Sequence, residues 1–358
     1  MTEIADKLAK VRRELHASQL AAARLRGSDW FAWATAGGSS VVLATSETGV
    51  AEVLITADEA WVLTDAIEHD RLQAEEIAEL PIWSHPWATP EPREQFVARC
   101  AAGGRVASDR PQADELPLPS PLARARWSLT GPEQERYRRL GRAAAQAMTA
   151  ALQAARPEWT ELQLAGAGSE ALWSRGIEPA LILVAGERRL PLHRHPTPRD
   201  EPLGARAMMV FCARRHGLYA CFTRHLYFRT PTPEERRAAA VVAEVEAAAF
   251  AASVPGTPLS AVLAAMTAAY ARAGQPGAEA AHHQGGPCGY AAREAIARPG
   301  NSESLAEDGA VAWNPSLPGT KIEDTALLHG GALEFVTVDP AWPTVSVHGR
   351  PRPDLLVR

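Results

Sequence analysis

A two-domain α/β protein is what this sequence predicts, and three observations predict it. At 358 residues the chain exceeds what one ordinary hydrophobic core organises. Short β-rich runs and long helical patterns alternate along it. A proline-rich, polar stretch at 111–132, PQADELPLPSPLARARWSLTGP, interrupts that alternation and reads as a linker. We therefore expect domains at 1–125 and 126–358. The apolar fraction of 46% and charged fraction of 22% suffice for packed cores and exclude a disordered chain.

In order, MTEIADKLAKVRRELHASQL is patterned as an amphipathic helix. VVLATSETGVAEVLITADEAWVLTD (41–65) predicts three strands joined by tight turns. Beyond the linker, Pro132 and Glu133 suit the first turn of a long helix ending near residue 155. Thr160 and Gln163 form a capping box for the next helix. ALILVAG, AMMVFCA and LYACFTRHLYF read as strands, the last two as a hairpin. Another helix starts near Pro233, and Gly256 turns the chain into one more. The last 75 residues are strand-rich: AVAWNPS, TKIEDTALL and LEFVTV.

Several function classes drop out. A net charge of −5 supplies no basic field for nucleic acid or an anionic membrane. No apolar run approaches a membrane span, and the charged N-terminus lacks the core of a signal peptide. Cys100, Cys212, Cys221 and Cys288 are too few and too scattered for a disulfide framework. We expect a cytoplasmic protein that acts on a small molecule. AGAGSE (165–170) follows no strand, so no nucleotide site is expected there.

Four ordered segments of the second half carry more specific information. GERRLPLH places His193 seven residues after Gly186. Gly204, Gly217, Thr223 and Arg224 punctuate the hairpin. HHQGGPCGY sets His283 three residues before Gly286. AWNPSLPGTKIEDT contains Asn314 and Glu323. In this order and spacing they resemble the creatinase and aminopeptidase P family, the pita-bread metallopeptidases. The resemblance implies an α/β (α+β) fold, a pita-bread catalytic domain behind a smaller creatinase-type N-terminal α/β domain, and a homodimer.

It also exposes a discrepancy. The family's peptidases hold two divalent ions with two Asp, one His and two Glu, a set that balances metal charge and generates hydroxide. Those positions here are Val210, Cys221, His283, Asn314 and Glu323. Valine cannot ligate and asparagine is neutral, so we expect no metal and no other cofactor. A single zinc on Cys221, His283 and Glu323 is the alternative. The peptidases' further histidine is replaced by Tyr290. Creatinase, on the same fold, cleaves a C–N bond without metal through a histidine, and the resemblance places His193 there.

The expected catalytic residues are thus His193 as proton carrier, with His283 and Glu323 orienting or stabilising. Imidazole is the side chain suited to proton transfer near neutral pH. Period-two alternation puts Tyr219, Cys221, Thr223 and His225 on one strand face, which would line the pocket. Cys221 has three readings: a packed small hydrophobe, a thiolate nucleophile or a ligand. Asn314, Tyr290, Arg224 and Arg293 are expected to contact substrate, and Arg188 to reach an anionic group of it. His195 and His216 read as solvated turn residues, and Asp324 as structural. The function expected is metal-independent hydrolysis of a C–N bond in a small polar metabolite. Alternatives are a noncatalytic pseudo-peptidase binding module, or an Xaa-Pro-type aminopeptidase or dipeptidase with one weakly held metal.

Overall fold

A computed structural model describes residues 2–358. The chain forms two compact units, one of residues up to Arg126 with His216–Leu218, the other of Trp127–Arg215 and Tyr219–Arg358.

The first unit starts with helix α1 (Glu3–Ala17), whose Ile4, Leu8, Val11 and Leu15 are buried at helical spacing. A six-stranded sheet follows, ordered β4-β3-β2-β1-β5-β6. Its strands are β1 (Ala22–Gly27), β2 (Thr48–Thr56), β3 (Ala60–Asp65), β4 (Ile82–His85), β5 (Val106–Ser108) and β6 (Leu116–Pro117). Helix α2 (Ser28–Ala34), the single turn α3 (His69–Arg71) and helix α4 (Glu91–Cys100) connect them. Residues 41–65 hold two strands, not the three expected. Val42 and Leu43 are 62% and 66% exposed in a turn closed by the Ser46 amide donating to the Leu43 carbonyl, so that run has nothing to pack against. The expected linker is also more ordered than its composition suggests. It contains β6 and helix α5 (Ser120–Ala125), pinned by the fully buried Leu122.

Three helices of the second unit begin with the same device. In α6 (Gly131–Ala154), α7 (Glu161–Trp173) and α8 (Pro233–Ala252), an N-cap threonine (Thr130, Thr160, Thr232) exchanges hydrogen bonds with the third helical residue (Glu133, Gln163, Glu235). Each box satisfies two otherwise orphaned amides. Helix α9 (Leu259–Arg272) completes the set. One sheet pairs β7 (Glu178–Gly186) antiparallel with β8 (Arg206–Arg215), continuing into β9 (Leu218–Tyr227) and β18 (Leu356–Val357). His216 and Gly217, between β8 and β9, both have positive φ, as a two-residue hairpin requires. The other sheet runs β10 (Gly285–Cys288), β11 (Ala310–Trp313), β14 (Asp324–His329) and β15 (Ala332–Phe335). Short ribbons β12 (Ser316–Leu317) with β13 (Thr320–Lys321), and β16 (Thr344–Val347) with β17 (Arg350–Pro353), flank it. Helices α8 and α9 bury Phe250, Met266 and Tyr270 against Trp313 and Ile322 of this half.

The two sheets meet along β9. The Thr223 amide donates to the Glu323 carbonyl at 3.0 Å, and Thr325 Oγ1 both accepts from the Cys221 amide and donates to its carbonyl at 2.9 Å. Beneath the seam lies a buried charged core. Asp324 accepts from Arg224 at 2.8 Å, Arg352 at 2.7 Å and the Thr337 hydroxyl at 2.6 Å, and Arg352 forks onto Glu246 at 2.7 and 2.8 Å. Asp324 is structural, as expected.

Strand β10 depends on two glycines. Gly285 has φ +103°, and a Cβ there would sit 2.2 Å from the Ala312 carbonyl oxygen; one on Gly286 would sit 2.2 Å from that of Ala295. No side chain fits this backbone approach. We expect Gly285→Ala to cost about 2 kcal/mol or more in denaturant unfolding, since steric conflict and backbone strain combine. A midpoint unchanged from the parent would show that β10 tolerates a shift away from β11.

Candidate active site

The seam between β9 and β14 brings the chemistry-bearing residues together. Adjacent residues of an extended chain point in opposite directions, so Asp324 enters the core while Glu323 faces the other way. Glu323 is 2% exposed. Its Oε1 accepts from Arg293 Nη2 at 2.6 Å; its Oε2 lies 2.9 Å from Lys321 Nζ and accepts from Thr223 Oγ1 at 3.0 Å. Burial by itself would raise the Glu323 pKa. The charges of Lys321 and Arg293, with their hydrogen bonds, override it and hold the pKa at about 2. Two cations share one carboxylate, so the cluster is positive by one charge.

Three imidazoles stand nearby. His282 and His283 stack with centroids 4.4 Å apart, and His195 Nε2 lies 2.9 Å from His282 Nε2. Loss of surrounding water, only partial for the exposed His195, lowers all three pKa values, and positive charge adds to it. Lys321 acts on His195 and His282, the latter reaching about 3; Arg293 and Lys321 act on His283, which reaches about 4. They are neutral at neutral pH. Gln284 props this loop by donating to the His282 carbonyl at 2.6 Å and accepting from Tyr270 at 3.2 Å. Asn314, whose backbone amide donates to the Gln284 carbonyl at 3.1 Å, keeps a buried Oδ1 that has no hydrogen-bond partner among the described residues.

The other expected site residues divide. Cys221 is fully buried. The hydrogen bond from Cys212 lowers its thiol pKa, burial opposes, and Arg293 adds to the lowering. Thr223 and His225 share its strand face, with His225 Nε2 2.9 Å from the Lys321 carbonyl oxygen. His193 is exposed on the loop after β7. It lines a niche of about 10 Å³, room for about one water, with Ser316, Thr320 and Lys321. A larger cavity of about 290 Å³ borders the network at Thr223 and Lys321 but is walled mainly by α8 and residues 345–355; Glu323, Arg293, Asn314 and His193 do not line it.

Three residues expected at the substrate are committed elsewhere. Arg224 is spent on Asp324 and the Thr337 carbonyl, because strand alternation sends it to the core side. Tyr290 is fully buried and donates to Glu133 of α6 at 2.6 Å. Arg188 is exposed and paired with Glu201. Arg293 does reach the site, from a loop that Glu294 closes by accepting from the Tyr290 and Ala291 amides. Two participants escaped the sequence reading. Lys321 was legible in principle, since an extended chain sets residues two apart on one face. His195, 87 positions from His282, was not.

The positions that hold two metals in the peptidases do not fit them here. Val210 packs among Leu183, Ala185, Leu190 and Met208, and both Glu323 oxygens are taken by cations. The same pairing removes Glu323 from a zinc set with Cys221 and His283.

The depressed Glu323 pKa is also a stability statement. A fall from 4.5 to about 2 corresponds to about 3 kcal/mol at neutral pH. Because the folded pKa lies below the unfolded one, this stabilisation is complete above about pH 4.5 and lost as pH falls through about 2. We expect Glu323→Gln to cost about 3–5 kcal/mol at pH 7, since it strands the buried Lys321 and the half-buried Arg293. Its unfolding free energy should also lack the parent's extra decline over that acid window. Equal stability of parent and variant at pH 7 in urea unfolding would refute the pairing energetics.

Comparison with known proteins establishes the family and the fold. The profile of metallopeptidase family M24 matches residues 135–330. No curated protein matches in sequence. Among solved structures, the Xaa-Pro dipeptidase from Bacillus anthracis superposes with a TM-score of 0.79 at 17% identity, covering 99% of this chain and 100% of that one. The X-Pro aminopeptidase from Thermotoga maritima MSB8 gives 0.77 at 16% identity over 97% and 100%. The N-terminal domain of FACT complex subunit SPT16 from Cicer arietinum gives 0.69 at 12% identity over 94% of each. These likenesses establish a small N-terminal α/β domain followed by a pita-bread domain, the fold of the prolidases. With its family match spanning more than half the chain, this protein belongs to metallopeptidase family M24.

Proposed function

We propose that this chain hydrolyses a C–N bond in a small, anionic metabolite without the two-metal centre of the peptidases. One observation carries the reading: Lys321 and Arg293 occupy both oxygens of Glu323, where the peptidases' carboxylate would face metal. The surplus positive charge of that cluster favours a substrate carboxylate or similar group.

In this reading Glu323 positions the two cations and they hold the anionic group. His193, solvent-facing in the niche it shares with Lys321, moves the proton. Asn314 Oδ1, buried and without a partner among the described residues, accepts from the substrate's N–H. Cys221 is a packed residue of the seam. Proton transfer by a placed imidazole contributes about 10²–10⁴-fold to rate.

A noncatalytic binding module is the second reading, favoured by the mutual satisfaction of the charges around Glu323. A screen of N-acyl amino acids, amidines and Xaa-Pro dipeptides, with and without added manganese, separates the readings. We expect turnover of an anionic amide or amidine, no manganese activation, and a loss of at least about 100-fold in His193→Ala. Turnover retained within a few-fold would refute the His193 role. Manganese-activated Xaa-Pro cleavage would overturn the reading, and saturable binding without turnover would establish the module.

A further inference from the structure

The proposed reaction leaves the three clustered imidazoles without a task. His195, His282 and His283 each present a ligand nitrogen, and these nitrogens all lie within 4.8 Å of one another. We propose that they form a site for one late first-row divalent ion, zinc foremost. Only His283 is shared with the positions that hold metal in the peptidases. The site asks nothing of Glu323, Cys221 or Asn314.

The geometry is near what coordination needs. Zn–N bonds of about 2.0–2.1 Å in a tetrahedron set ligand nitrogens about 3.3 Å apart. His195 Nε2 and His282 Nε2 are 2.9 Å apart, so these two rings need to open by only a few tenths of an ångström, while a His283 nitrogen, within 4.8 Å of them, has to close by up to about 1.5 Å. His282 is 9% exposed, and His283 buries an Nδ1 that no described residue hydrogen-bonds. His195 is exposed, which leaves the fourth position open to water or an anion. The Gln284 amide and the Gly285–Gly286 strand hold two of the three ligands from behind.

Neighbouring charge decides which ion. Lys321 and Arg293 outnumber Glu323 by one, which opposes ions held mainly by charge, such as magnesium, calcium or manganese. Three neutral imidazoles instead favour zinc, cobalt, nickel or copper, whose affinity comes from nitrogen coordination. The same surplus charge favours an anion as fourth ligand.

The inference stands whether or not the chain is catalytic, and its test reads binding alone. Protein without a histidine tag, stripped with chelator and dialysed, is titrated with cobalt(II) while the visible bands of four- or five-coordinate cobalt are followed. We expect saturation at one cobalt per chain, displacement by zinc, and no displacement by excess magnesium. His195→Ala changes an exposed side chain, so it should fold as the parent does by circular dichroism. It should weaken cobalt binding by more than about 100-fold, because losing even a supporting residue costs about 10–100-fold. His282→Ala should do the same, and Cys221→Ser should bind as the parent does. Absence of saturable binding, two ions per chain, or binding that survives His195→Ala but is lost in Cys221→Ser would each overturn the proposal.

Discussion

The Glu323 carboxylate is the interaction on which the rest of the site depends. It sits where two sheets meet through one backbone bridge, and it collects Lys321 from its own segment, Arg293 from a loop and Thr223 from β9. Remove the charge and two cations lose their counterion. Leave it, and three chain segments far apart in sequence are tied to one point. Asp324, the next residue, performs the matching task on the opposite side, gathering Arg224 and Arg352 into the core. One step along an extended strand separates the face of Glu323 from the core face of Asp324.

This arrangement inverts the electrostatics expected of the fold. A two-metal peptidase concentrates carboxylates so that cations can be bound there. Here the cations are supplied by side chains. The cluster is self-sufficient, and its remaining charge is positive. Bound ligands should therefore be selected for negative charge. A metal held here would need donors that do not rely on carboxylates, and among the described residues the imidazole cluster offers such donors.

Much of the fold was legible because its signals are local. The capping box at Thr160, the first-turn Pro132 and Glu133, the helix from Pro233 and the turn at Gly256 all follow from chemistry within a few residues. The strand face of Cys221, Thr223 and His225 followed from period-two alternation in the same way. Local signals also misled. Val41 to Leu43 have strand-forming side chains but no partner strand, and the proline-rich segment at 111–132 hides a helix anchored by Leu122.

By itself, through the resemblance it carries, the sequence puts no acid at three of the five positions that hold metal in the peptidases. Val210, Cys221 and Asn314 are covalent facts that no folding can alter. It also determined that His283 and Glu323 persist among the substitutions. Only the tertiary structure decided what those residues face. Arg224 and Tyr290 went to the core, while Lys321 and Arg293 took the carboxylate. Two of three clustered imidazoles come from one loop and the third from another, 87 positions earlier. A carboxylate's partner depends on which segments the sheets bring within a few ångströms, and spacing along the chain carries no information about a contact made across it.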